Sequence, residues 1–263
     1  IDTGTPFFVW EGDTLVNMTE IEYEGNAPDI GAFESDYPAD YLGSNLYISS
    51  TGSDDNDGSE ENPYLTINYA LEMNIPTEAH PFTIHLSEGT FAPSTTGEDF
   101  PIIMISHVKL IGQCEELTIL DAMNTNRVMI IDDVIDIEIS NLTIMRGETF
   151  PENDIPPYDA YGAGIHIRNA DPTLTHLTIM DSHIDEGDEG MGGGIYLFQS
   201  NATLTYITIK ENSGNGITIW HSEPTLTYVT ITDNSLGGLF IYGHGGSFNP
   251  ILSHMVINNN YSY

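Results

Sequence analysis

Positive charge is what this 263-residue chain has least of. Five Lys and Arg stand against 40 Asp and Glu, a formal net charge of −35 at pH 7. A surface of that sign repels nucleic acid and anionic membranes and draws cations. It also works against compaction until ions screen it. Cysteine occurs once, at Cys114, so no intrachain disulfide can form and the redox compartment stays open. No apolar run approaches the roughly 18 residues of a membrane-spanning helix. The sequence starts at Ile1 rather than Met and shows no signal peptide, as expected of a processed product or a piece of something longer.

Helical periodicity is also missing from the second half, and a repeat takes its place. Residues 172–179 read PTLTHLTI, 202–209 ATLTYITI, 224–231 PTLTYVTI and 250–257 PILSHMVI. A second phrase runs between them: AGIHI at 163–167, GGIYL at 193–197, NGITI at 215–219 and GGLFI at 237–241. A unit this short cannot bury its own apolar side, so copies must stack on one another. Strict alternation puts Leu174, Leu177 and Ile179 inside and Thr173, Thr175 and Thr178 outside, with the same pattern one and two coils later. The Thr, Ile and Val content favours strand. Together these predict a parallel β-helix, wound right-handed as parallel crossovers are. Asn212, Asn234 and the pair Asn258-Asn259 sit at equivalent corners, where Asn tolerates left-handed φ. Residues 146–162 and 181–192 are longer versions of that corner, and insertions on one side of a solenoid mark its adapted side.

Upstream, Phe82–Leu86, Ile102–Ile105, Val108–Ile111, Leu117–Leu120 and Val128–Ile131 have the look of less regular coils. Pro63–Met73 is predicted to be a helix whose Ile67, Ala70 and Leu71 face the first coil as a lid over its open edge. The expected organisation is an N-terminal segment over 1–43 and a β-helix over 44–263.

The phrases LYISSTGSDDNDGSEENPYLTINYAL (46–71), TIHLSEGTF (83–91) and LIGQCEELTILDA (110–122), followed by the Asn-cornered repeats, resemble bacterial secreted right-handed β-helix proteins of the pectate-lyase-like superfamily. The resemblance covers about four-fifths of the chain. It implies an all-β, single-stranded right-handed parallel β-helix (a solenoid) with an N-terminal extension and a short capping helix, in an extracellular or cell-surface bacterial protein. IDTGTP (1–6) and APDIGAFE (27–34) are similar to the closing segment at the carboxyl end of such folds, yet here they precede the entry motif. Two readings follow. The sequence is a window on a tandem array, or the leading tail closes the last coil of a neighbouring copy and builds a head-to-tail filament. Ile1, Phe7, Phe8, Ile30 and Phe33 would then meet Ile257 and Tyr261 of the next copy.

Candidate chemistry is sparse. β-Elimination needs a cationic base beside calcium-binding acids, and of the five cations only Arg168 is predicted on the outer face of a Gly-Ile strand. Glycoside hydrolysis needs two carboxylates at a set separation, but acids are so abundant that no pair stands out. Calcium is the expected ligand. Ser53–Gly58 packs Asp54, Asp55 and Asp57 around a Gly turn, without the full spacing of a calcium loop. Asp154 and Asp159 in one long corner would meet Asp181, Asp185 and Asp188 in the next. Solvated turns are the alternative in both places. Phe198, Trp220 and Tyr242 align with Arg168 in one outward column, and Tyr196 and Phe240 align with His166 and Thr218 in another. Such aromatic strips suit glycan binding or packing of one rod on another, unless a loop covers them. The Thr-x-Thr phrases form a hydroxyl grid of the kind that binds ice in some β-solenoids, although outward Thr is also simply a good strand residue. The expectation is an extracellular structural or adhesive rod that assembles with itself, with polysaccharide binding or degradation as the alternative.

Overall fold

The computed structural model describes residues 45–150, 161–184, 191–243 and 248–261, and the backbone of two strands nearer the amino terminus. The chain divides into compact units Ile1–Gly43 and Ser44–Tyr263. In the first, β1 (Phe7–Trp10) and β2 (Asp13–Asn17) pair antiparallel. The second is a right-handed parallel β-helix. Its strands are β3 (Asn45–Ile48), β4 (Phe82–Leu86), β5 (Gly89–Phe91), β6 (Ile102–Ile103), β7 (Val108–Ile111), β8 (Thr118–Asp121) and β9 (Met129–Asp132). Longer strands follow: β10 (Glu138–Met145), β11 (Ile165–Arg168), β12 (Thr173–Met180), β13 (Ile195–Phe198), β14 (Thr203–Lys210), β15 (Asn215–Trp220), β16 (Thr225–Thr232) and β17 (Gly237–Tyr242). The last are β18 (Ile251–Ser253) and β19 (Val256–Asn258).

Each coil has three walls. The first half of β10 continues the wall of β7, and its second half continues the wall of β8. What are two strands upstream become one eight-residue strand in β10, β12, β14 and β16. The third wall stacks β6, β9, β11, β13, β15 and β17 in order. Register is held rung by rung: Leu174 lies beside Leu204 and Leu204 beside Leu226.

The expected strict alternation does not hold. Asn141, His176, Tyr206 and Tyr228 have φ between 51° and 60°, in the left-handed region, and so does His254 between β18 and β19. One left-handed residue turns the strand, so Leu174 and Leu177, three apart, both point inward. The inward columns Leu174/Leu204/Leu226, Leu177/Ile207/Val229 and Ile179/Ile209/Ile231 are at most 1 % exposed. The Thr residues face out, as expected.

The Gly of each Gly-Ile phrase sits where the wall comes too close to its neighbours for a side chain. A Cβ on Gly216 would lie 2.5 Å from Ile231 Cγ2 and 2.9 Å from Asn234 Nδ2. The Asn beside it belongs to a buried ladder. Ser182 N donates to Asn212 Oδ1 (3.0 Å), Asn212 N to Asn234 Oδ1 (3.1 Å) and Asn234 N to Asn260 Oδ1 (3.0 Å). Their amides donate in turn to Ile179 O, Ile209 O and Ile231 O. The last rung is Asn260, just after the Asn258-Asn259 pair expected from the sequence, because Asn259 (φ 51°) takes the exposed left-handed place before it.

The lid helix α1 (Ile67–Met73) is shorter than expected and buries Ile67, Ala70 and Leu71 as foreseen. Tyr64 instead bridges to Ile48, and Thr66 is the N-cap. Two carboxylates from separate loops hold the entry. Asp54 Oδ1 accepts from Leu65 N (2.9 Å) and Thr66 N (3.0 Å), and Glu98 accepts from Ile67 N (2.7 Å) and Asn68 N (3.0 Å).

Replacing Asn234 by Leu leaves the Asn212 N–H without its side-chain acceptor in a buried corner and removes the amide donor to Ile209 O. It is expected to lower stability by about 2–4 kcal/mol in urea unfolding, whereas the same change at exposed Asn201 costs less than about 1 kcal/mol.

Candidate functional site

The outer face of the third wall carries the predicted aromatics in the predicted register. Arg168 lies beside Phe198, Phe198 beside Trp220 and Trp220 beside Tyr242. All four are half-buried. Trp220 and Tyr242 pack edge to face, with centroids 4.8 Å apart and planes at 70°. His221 at the following corner touches both, and Phe248 stands 5.3 Å from His221 at 72°. The rings are splayed rather than sandwiched.

The second column departs from expectation. His166 and Tyr196 are 2 % and 5 % exposed and Thr218 is fully buried; only Phe240, 40 % exposed, stands open. Over His166 and Tyr196 the cover is Tyr161, from the long corner anticipated at 146–162. Its ring lies 5.0 Å from Tyr196, and its carbonyl is 3.1 Å from His166 Nδ1. Burial pushes the His166 imidazole down to about 4. Arg168 does not face a ligand as an isolated cation. Its Nε and Nη2 hold the two oxygens of Asp132 at 2.6 Å each, with Asp133 3.5 Å away. Arg127, buried and 3.1 Å from the Tyr161 carbonyl, acts on His166 together with Arg168.

The acidic candidates are dispersed. Asp54 is taken up by α1, its Oδ2 also accepting from Thr66 Oγ1 at 2.9 Å. Asp55 and Asp57 are exposed, and Asp57 Oδ1 accepts from Ser59 N at 3.0 Å. Hydrogen bonds from Ser59 hold the Asp57 carboxyl below its ordinary value. Asp181 stands at an exposed left-handed corner, in a column with Glu211 and Asp233. Asp154, Asp159, Asp185 and Asp188 lie outside the described residues. Among the described residues no group of three or more His, Cys, Asp or Glu is arranged to hold a metal ion. Nor is any helix there long and apolar enough to cross a membrane. Ile257 and Tyr261 are 47 % and 63 % exposed on the last coil. Ile1, Ile30 and Phe33 lie outside the described residues, and Phe7 and Phe8 belong to β1.

One feature is missing from the sequence expectations. The left-handed residues of successive coils form an outer ladder of rings. His176 stacks on Tyr206 at 4.8 Å and 21°, Tyr206 on Tyr228 at 4.9 Å and 4°, and Tyr228 on His254 at 4.4 Å and 28°. The signal was the spacing Leu-Thr-His-Leu, in which apolar residues three apart leave one residue over to turn the strand.

A family model described as "Protein of unknown function (DUF1565)" matches residues 50–259. The chain belongs to that family. No curated protein matches the chain by sequence. Among solved structures, this DUF1565 chain is similar to Geobacillus virus E2 ORF18, at 11 % identity and a TM-score of 0.53 over 79 % of this chain and 40 % of that one. It is similar to pectate lyase Pel9A at 13 % identity and a TM-score of 0.50, over 79 % of this chain and 57 % of that one. A rhamnogalacturonan lyase follows at 12 % and 0.47, over 78 % and 63 %. The chain thus spans between 40 % and 63 % of these proteins, and the likeness is one of fold.

Glu98 gives a pH test. Burial raises its carboxyl from 4.5 to about 7, against the two N–H donors that favour the anion. A raised carboxyl binds its proton more tightly in the folded state, so its contribution is complete below about 4.5 and lost as pH rises through about 7. The melting-temperature difference between the parent chain and Glu98→Gln is expected to favour the parent most near pH 4.5 and to shrink by pH 8. A constant difference would contradict the assignment.

Proposed function

We propose that this DUF1565 chain is an extracellular β-helix that binds a polysaccharide on the outer face of its third wall, with Phe198, Trp220 and Tyr242 as the sugar-contacting rings. The observation that carries this reading is the splayed, half-buried Trp220–Tyr242 pair in an aligned column. Sugar rings stack on aromatic faces, and a pair held edge to face leaves a face to stack on. The −35 charge favours a neutral glycan over a polyanionic one, unless cations bridge the two. That a protein of similar fold is named a pectate lyase fits a polysaccharide ligand in general without carrying the argument. The chain contains two tryptophans, Trp10 and Trp220, so Trp10→Phe makes Trp220 the sole reporter. Titration with neutral oligosaccharides is expected to give a saturable fluorescence change. Trp220→Ala is expected to weaken binding, followed by calorimetry, by roughly tenfold, about 1–2 kcal/mol for one stacked ring. No response to any neutral or acidic oligosaccharide would end this reading.

A second reading is head-to-tail assembly into a filament, resting on the likeness of IDTGTP (1–6) and APDIGAFE (27–34) to the closing segment of such folds. Residues 1–43 of a second copy are the occupant this reading requires. Negative-stain microscopy is expected to show fibres from the full chain and none from residues 44–263; fibres from both would refute the donated tail. Calcium, taken up by the loop carrying Asp55 and Asp57 and by the acidic corner insertions, would reinforce either form. Millimolar calcium is expected to raise the melting temperature, and Asp57→Asn to reduce the rise.

A further inference from the structure

We propose that the ring ladder and the threonine columns beside it form a lateral contact between two copies of this chain, separate from the aromatic face of the third wall. The first reason is conformational. A ring-bearing residue in the left-handed region costs about 1 kcal/mol that Asn largely avoids. The equivalent position one coil upstream is Asn141, at φ 60°. His176, Tyr206, Tyr228 and His254 accept that cost on four successive rungs, so backbone preference does not explain them. Stacking along the ladder offsets part of the cost, yet Tyr206 and Tyr228 remain 47 % and 45 % exposed.

The second reason is the distribution of charge. Outward positions on either side of the ladder are Thr175, Thr205 and Thr227 on one flank and Thr178, Thr208 and Thr230 on the other. None of these rungs carries a carboxylate between Thr173 and Ile179, Thr203 and Ile209, or Thr225 and Ile231. Acids frame the strip instead: Asp171 and Glu223 at one corner, Asp181, Glu211 and Asp233 at the other. At its amino-terminal edge Glu115 reaches in to accept from Thr178 Oγ1 at 2.6 Å. Two molecules of charge −35 can approach closely only along a face of this kind.

The third reason concerns the occupant. Ring faces in the ladder are used on one another, so what remains is edges and hydroxyls, which suits a sugar chain less well than the splayed rings of the third wall. A polyanion would meet the same acidic frame. A second copy presents the same rungs at the same spacing, and a two-fold pair matches them to themselves. Four rungs of about 4.8 Å by eight residues of about 3.3 Å give at most roughly 500 Å² per copy. About 1,000 Å² in total is the lower limit for a specific interface. The pair is therefore weak, and because its acidic frames repel, salt strengthens it.

Sedimentation velocity of the full chain tests this. Between about 0.05 M and 1 M NaCl, dimerisation is expected to tighten by roughly tenfold as the frames are screened. Tyr206→Asn with Tyr228→Asn is expected to remain monomeric at both salts with little change in melting temperature, since Asn fits the left-handed corner. Thr205→Glu with Thr227→Glu, on a different column, is expected to do the same. Ile257→Asp, which blocks contact through the last coil, is expected to leave the dimer intact. A parent chain that is monomeric at both salts overturns the proposal. So does a Tyr-to-Asn variant that dimerises as the parent does, or one that loses only stability. A Tyr-to-Asn variant that instead loses the oligosaccharide response at Trp220 would assign the strip to a glycan and equally overturn it.

Discussion

Parallel stacking in register is the constraint on which the rest depends. At about 4.8 Å between coils, every residue lies directly over its equivalent in the next turn, so a side chain is met by its own kind. Apolar residues then give continuous columns such as Leu174/Leu204/Leu226, amides give a ladder, and glycine appears where even a methyl group would collide. Carboxylates are the side chains that tolerate this least, because each would face another carboxylate a rung away. In the regular coils the acids accordingly leave the strands and gather in corners and turns, while the strand surfaces fill with Thr and aromatics. The uncharged faces of so acidic a molecule follow from the same spacing that builds its core.

The third wall shows how a repeat becomes a site. Around β11 it is closed: Tyr161 lies on Tyr196, His166 is buried, and Arg168 is locked to Asp132. Its later rungs are open, with Phe198, Trp220 and Tyr242 bordering solvent. The difference arises from the corner insertion that carries Tyr161 and from the Arg168–Asp132 pair between neighbouring strands. A uniform solenoid face is thus divided into a covered, ion-paired end and an aromatic, accessible end. The cations that a lyase-type reading would require are held inside the covered part.

Much of the architecture is legible in the sequence because burial and periodicity share one signal. The inward Leu and Ile of the repeats, the buried face of α1 and the alignment of Phe198 with Trp220 and Tyr242 all follow from counting residues. What escapes is conformation that leaves no apolar trace. The left-handed turn at His176, Tyr206 and Tyr228 shows only as an apolar spacing of three, which resembles a slip in an alternating strand. The long corner at 146–162 is legible, but that its Tyr161 lies on Tyr196 and His166 is not, because nothing in the repeat says over which wall an insertion folds. Asp54 reads as a calcium ligand by composition, yet its partners, the N–H groups of Leu65 and Thr66, are eleven and twelve residues away.

The amide ladder has a consequence for how such a chain changes length. Asn212 and Asn234 each receive an N–H from the turn before and hand their own to the turn after, and the glycines at 194, 216 and 238 keep the same beat of 22 residues. Any segment of that length copied and inserted in phase inherits both halves of the bond. The protein can therefore be extended or shortened like a stack of interchangeable washers, with mismatches confined to its two ends.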